Sequence, residues 1–228
     1  MNYEVMCGPS AAALKVVLDA GETITAEGGA MLSMSASVDV ETTTRAKASR
    51  GGILKAMKRM LGGESFFMNH FTSRVDSSEV MLSPTMSGDI VMTEMDGSED
   101  IVVQSGSWMA SGTGIEIDTQ FGGLGKALFS GEAMFWLRMS GVGPLFLSSF
   151  GAVYKKEIDG EFIVDTGHIV AYTSGLNFKA TKAKGSWMTA ILGGEGLVCK
   201  FSGRGSVWIQ SHNPGSFGSS LGPKLKTR

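Results

Sequence analysis

Short alternations of apolar and polar residues recur along this chain and predict β-strands. Leu32-Ser33-Met34-Ser35, Val38-Asp39-Val40-Glu41-Thr42, Ile115-Glu116-Ile117-Asp118 and Ser206-Val207-Trp208-Ile209-Gln210 repeat with a period of two, the pattern of a half-buried strand. β-branched and aromatic residues fill these runs, and Gly, Asp, Asn and Ser separate them, as strands and turns require. Asp96-Gly97 and Asp159-Gly160, each flanked by apolar residues, predict hairpins, because that dipeptide tolerates positive φ. The stretch from Val142 to Val153 is interrupted by Gly, Pro and Ser and predicts a strand; no run approaches the roughly 18 apolar residues of a membrane span.

Three inserts break this alternation. The first runs from Gly51 to Gly63, with Ile53, Leu54, Met57, Met60 and Leu61 at the spacing of one helical face and Lys55, Lys58 and Arg59 on the remainder. The second, Gly122 to Gly131, carries Leu124, Leu128 and Phe129; the third, Gly185 to Gly194, carries Trp187, Ile191 and Leu192. Helices this short are marginal alone. They are expected to dock on the β-core, on a neighbouring subunit or on a bilayer.

The inserts occupy matching places in an internal repeat. An apolar, polar, small, glycine pattern occurs at Val17-Leu18-Asp19-Ala20-Gly21, Val103-Gln104-Ser105-Gly106 and Val164-Asp165-Thr166-Gly167. Each is followed by an alanine (Ala26, Ala110, Ala171), then by an insert, then by a Gly-Glu pair ending in Glu64, Glu132 or Glu195. Repetition on this scale is a signature of architecture before chemistry. The expected fold is all-β: three tandem pseudo-repeats of a β-sandwich or double-stranded β-helix-like unit about a pseudo-threefold, with short helical inserts. The units are 1–82, 83–153 and 154–228, the last with a C-terminal tail.

Composition narrows the class. The 228 residues are 43% apolar, which excludes disorder and allows a sizeable core. The 32 glycines are about twice the usual share, as a fold rich in turns and bulges needs. Cys7 and Cys199 lack a CxxC partner and read as thiols in a reducing compartment. Together with a start lacking a signal-peptide pattern, this makes the cytoplasm the expected location. Net charge is only −2, yet it is unevenly spread. Residues 75–125 hold acids and no base, residues 45–59 bases and no acid, and the last hundred residues are basic. Such polarity steers self-association or attraction to a charged surface; solvated faces explain it equally.

Several segments together resemble one family. They are the Gly-containing turns, the run from Gly51 through Gly62-Gly63-Glu64-Ser65-Phe66-Phe67, Glu132-Ala133-Met134-Phe135-Trp136-Leu137, and Trp208-Ile209-Gln210-Ser211 with its Gly-rich tail. They are similar to the mitochondrial-biogenesis proteins called Altered Inheritance of Mitochondria twenty-four, which have many prokaryotic members. The resemblance spans nearly the whole chain and is most specific at 62–67. It implies a fold like that of the tryptophan RNA-binding attenuation protein, with three such units per chain, and a homotrimer that looks like a nine-unit ring. Mitochondrial relatives are linked to inner-membrane organisation, which implies scaffolding near membranes; a mitochondrial location is not carried over.

Candidate chemistry is sparse. His70, His168 and His212 are scattered and lack metal-ligand spacing. Glu64, Glu132 and Glu195 recur at one repeat position, which fits a carboxylate triad on an axis or a repeated turn. No GxSxG, GxxxxGK[ST] or HExxH pattern occurs. Nucleic acid is not an expected partner, because the acidic stretch repels phosphate and no basic stripe recurs in all three units. The expected function is therefore a non-catalytic, oligomeric scaffold without cofactor, a trimer, peripheral to a membrane. Its partners are a membrane surface or a membrane-associated protein, met through the three inserts. The alternatives are an RNA- or small-ligand-binding ring protein and an enzyme using the repeated glutamates.

Overall fold

A computed structural model describes residues 1–44, 67–120, 136–182 and 197–225. The described residues are β-strands with their connections, 3-10 turns and one short helix, α1 (Pro214–Leu221), in the C-terminal tail. Its strands pair antiparallel in four successive ladders.

The first ladder runs β1 (Asn2–Met6), β2 (Ala13–Leu18), β7 (Ser78–Leu82), β4 (Met31–Met34). The second contains β8 (Ile90–Asp96), the C-terminal half of β12 (Trp136–Ser148), β10 (Trp108–Gly112), β3 (Thr23–Glu27), β6 (Phe67–Ser73) and β5 (Val38–Thr44). The third contains the N-terminal half of β13 (Val153–Asp165), the C-terminal half of β16 (Leu197–Gln210) and β14 (Ile169–Thr173). It continues through β9 (Ile101–Gln104), the N-terminal half of β12 and β11 (Ile115–Gln120). The fourth is short: the C-terminal half of β13, the N-terminal half of β16, and β15 (Asn177–Lys182).

Three buried clusters fill the spaces between consecutive ladders. Leu14, Val16, Leu18, Val80 and Leu82 of the first ladder pack with Ile24, Phe71, Ala110 and Phe146 of the second. Trp108, Leu145 and Leu147 meet Val103, Leu137, Met139, Ala171 and Trp208. Val102, Trp136, Val207 and Ile209 meet Val164, Cys199 and Phe201. The alternating pattern of β2, half-buried then buried residue by residue, is what one buried face per strand requires. Burying each large apolar side chain contributes about 1.5–3 kcal/mol, so these clusters are the main source of stability.

Long strands carry the chain from one ladder to the next by bending. β12 bends at Gly141 and Gly143 (φ +106° and +136°), and β13 and β16 bend where Gly160 faces Gly203, both at φ +115°. This corrects two hairpin expectations. Asp159-Gly160 lies inside the single strand β13, and Asp96-Gly97 joins β8 and β9, which pair in line along the same strand, β12. The positive φ that the dipeptide permits is used to kink the strand, not to reverse it. The Val142–Val153 stretch likewise is two strand ends parted by a bend at 149–152.

The glycine motifs of the sequence lie in turns between strands. Gln104 and Asp165 end strands that lead through Gly106 and Gly167 into β10 and β14. Asp19-Ala20-Gly21 turns between β2 and β3, and Glu27-Gly28-Gly29 precedes β4.

Candidate functional site

The insert residues Ile53, Leu54, Lys55, Met57, Lys58, Arg59, Met60 and Leu61 lie outside the described residues. So do Leu124, Leu128 and Phe129, Trp187, Ile191 and Leu192, and the glutamates Glu64, Glu132 and Glu195. Their attachment points are described. The first insert leaves the β5–β6 hairpin beyond the pair Thr44 and Phe67, the second leaves β11–β12 beyond Gln120 and Trp136, and the third leaves β15–β16 beyond Lys182 and Leu197. Each insert thus springs from the tip of an antiparallel hairpin whose second strand runs back into the core.

The histidines are engaged by neighbouring groups. His70 sits between Thr25 Oγ1 (2.9 Å from Nδ1) and Thr43 Oγ1 (2.8 Å from Nε2). His168 Nδ1 is 2.8 Å from the Gln210 carbonyl, which ties the turn after β13 to the end of β16. His212 bonds Ser211 at 2.8 Å and packs on Phe150. Among the described residues no group of three or more His, Cys, Asp or Glu could hold a metal ion.

Cys7 is exposed and Cys199 buried. Burial pushes the Cys199 thiol up to about 12 and the Tyr172 hydroxyl up to about 12, so neither ionises near neutral pH. Both belong to the third core, where Tyr172 stacks on Phe178 at 5.3 Å. A shallow concavity is lined by Ser98, Glu99, Asp100, Arg138, Ser174 and Gly175. Its charged groups are paired: Arg138 Nε donates to Asp100 Oδ2 at 2.6 Å, and Gly175 N donates to Glu99 Oε1 at 2.8 Å.

A feature that the alternation pattern hid is a pair of apolar sheet edges. All four residues of β4 are exposed, including Met31, Leu32 and Met34. In the fourth ladder Ile163 on β13 is exposed as well. Among the described residues β4 pairs with a neighbour on one side, β7, and the C-terminal half of β13 on one side, β16. Leu32-Ser33-Met34-Ser35 reads as a strand with one buried face; what the pattern does not contain is which ladder ends there.

A family model described as mitochondrial biogenesis AIM24 matches residues 3–212. The chain belongs to the AIM24 family. It is similar to an uncharacterized protein of Streptococcus pyogenes serotype M6, at 30% identity over 218 residues, covering 94% of this chain and 87% of that one. It is also similar to a Streptococcus pyogenes protein solved by X-ray crystallography, with a TM-score of 0.79 and 25% identity over 98% of this chain and 99% of the other. The family match thus spans nearly all of the 228 residues.

Proposed function

We propose that this AIM24 protein is a non-catalytic, self-associating scaffold that acts from the cytoplasm at a membrane surface. The observation that carries the reading is that the three inserts of the sequence connect strands of like pairing, β5 with β6, β11 with β12 and β15 with β16. Lys55, Lys58 and Arg59 sit beside Leu54, Met57 and Met60 in the first insert. A base near an anionic surface is worth about 1 kcal/mol, so these three contribute about 3 kcal/mol per chain, marginal singly. Several chains held together combine such weak contacts through effective concentration. Three copies of a three-unit chain, the trimer that the family resemblance implies, provide that gain. No helix among the described residues is long and apolar enough to cross a membrane.

The test is flotation with anionic liposomes of the wild type beside a Leu54→Ser, Met57→Ser, Met60→Ser variant of unchanged circular dichroism. Wild-type flotation at low salt, lost in the variant, is the expected result. A wild type that stays in the dense fraction overturns the membrane role.

A further inference from the structure

Two sheet junctions inside this chain are built alike, and half of a third is left open at each end. At the first junction β10 pairs with β3: Ala110 faces Ala26, Ser111 faces Thr25 and Gly112 faces Ile24. At the second β14 pairs with β9: Ala171 faces Val103, Tyr172 faces Val102 and Thr173 faces Ile101. On its other side each incoming strand slips register by one residue, between Trp108 and Ala110 and between Ile169 and Ala171. β4 slips in the same way against β7, between Met31 and Ser33. Leu32 therefore stands where Met109 and Val170 stand, and Ser33 where Ala110 and Ala171 stand.

The accepting strands correspond as well. Ile24, Ile101 and Phe162 pair with Phe71, Met139 and Phe201, which in turn pair on their other side with Val40, Ile117 and Phe178. Phe162-Ile163-Val164 thus takes the place of Ile24-Thr25-Ala26 and of Ile101-Val102-Val103.

We infer that β4 of one copy pairs antiparallel with the C-terminal half of β13 of a second copy. Ser33 faces Val164, Met34 faces Ile163 and Ser35 faces Phe162. Burial supports this occupant. Leu32 is 61% exposed, whereas Met109 and Val170 at the internal junctions are 0% exposed. Ile163 is 53% exposed, against 8% for Thr25 and 7% for Val102. The pairing also completes a sheet. β2-β7-β4 joined to β13-β16-β15 of the second copy reproduces the six-strand order β8-β12-β10-β3-β6-β5 of the second ladder. Among the described residues β5, β8 and β11 are edges of the complete ladders too, so β4 and β13 are the two whose counterparts are covered. Proline and charge usually blunt a free edge; β4 has neither between 31 and 34, and on β13 the charges Glu161 and Asp165 flank an apolar run from Phe162 to Val164 without proline or lysine. Because the two surfaces differ, the contact is head-to-tail, and it closes into a ring when the rotation allows.

The inference rests on the self-association part of the proposed function, and the test separates the two. In a Cys7→Ser background, Met34→Cys and Ile163→Cys are made as two single variants, and Ser35→Cys and Phe162→Cys as two more. Facing residues in antiparallel strands are about 4.5–5.5 Å apart at Cα, within disulfide reach. Mild oxidation of a mixture of partners is expected to give a covalent dimer for at least one pair, while each single variant oxidised alone gives none. A dimer from Met34→Cys alone places β4 against β4 and overturns the inference. Wild type that associates in sedimentation equilibrium without any cross-link from either mixture also overturns it, leaving self-association standing. Monomeric wild type at tens of micromolar overturns both. Leu32→Lys, which alters a side chain exposed in the single chain, is expected to yield monomers with an unchanged circular dichroism spectrum; an assembly indifferent to it counts against the inference.

Discussion

The chain crosses between ladders in two different ways, and the contrast shows what each demands of the sequence. In its first third the crossing strands break. β2 and β3 are separated by a turn at Asp19–Glu22, and β6 and β7 by another at Arg74–Ser77. Polar contacts knit these turns together: Ala20 N donates to Asp76 Oδ1 at 3.0 Å, Ser77 N to Asp19 Oδ1 at 3.2 Å, and Asp19 N to Glu22 Oε2 at 2.9 Å. In its last third the strands run through. β13 and β16 stay paired over their whole length and bend where Gly160 faces Gly203. One solution depends on carboxylates, the other on two missing Cβ atoms.

The largest effect is expected at the glycine bend. A Cβ at Gly160 meets nothing within 4 Å and at Gly203 only the Gly175 carbonyl at 3.5 Å, so the penalty of adding one is in the backbone. A residue held at such φ costs about 1–3 kcal/mol. The Gly160→Ala, Gly203→Ala double variant should lose roughly the sum in urea unfolding; a loss near zero shows that the strands bend without needing glycine. A smaller effect belongs to the broken crossing. Gly21 (φ +81°) also has open space around it, and Gly21→Ala should cost about 1–2 kcal/mol, with Gly21→Asn recovering part of it.

The smallest and sharpest test is pH. The Asp19 amide, and after it the Met1 ammonium, hold the Glu22 carboxyl below its usual 4.5. Its pKa is lower folded than unfolded, so the folded state binds fewer protons. The stabilisation is present above pH about 4.5 and is lost as pH falls through the folded value. Glu22→Gln should flatten the fall of Tm between pH 6 and 3 slightly. An unchanged slope assigns the acid sensitivity to other carboxylates, with Asp96 and Glu157, held low by Ser98 and by Lys155 with Ser206, next in line.

A second contrast concerns strands of matching placement. β10 is wholly buried and β4 wholly exposed, yet the alternation of Leu32-Ser33-Met34-Ser35 reads as plainly as any other in the chain. Strand character was legible because side chains alternate faces locally, whatever lies beyond them. Which edges stay open was not, because that depends on how many ladders the chain completes. The Asp-Gly dipeptides were misleading for a related reason: a positive φ is a local property, whereas kink or reversal is decided by the strand that pairs across it. The candidate site was legible only as its inserts, whose amphipathic spacing is a sequence property. The apolar edges emerged only with the pairings.

By itself the sequence determined that this protein is built of β-strands, that its family is AIM24, and that three amphipathic segments interrupt the strands. These follow from side-chain periodicity and local conformational preference, which need no knowledge of distant neighbours. The tertiary structure alone decided that the strands form four ladders with three cores between them, and that glycines bend strands through two ladders. It alone left Leu32 and Ile163 in solvent where their counterparts are buried. Those outcomes depend on pairing between residues tens of positions apart, where burial is settled by what arrives on the other side.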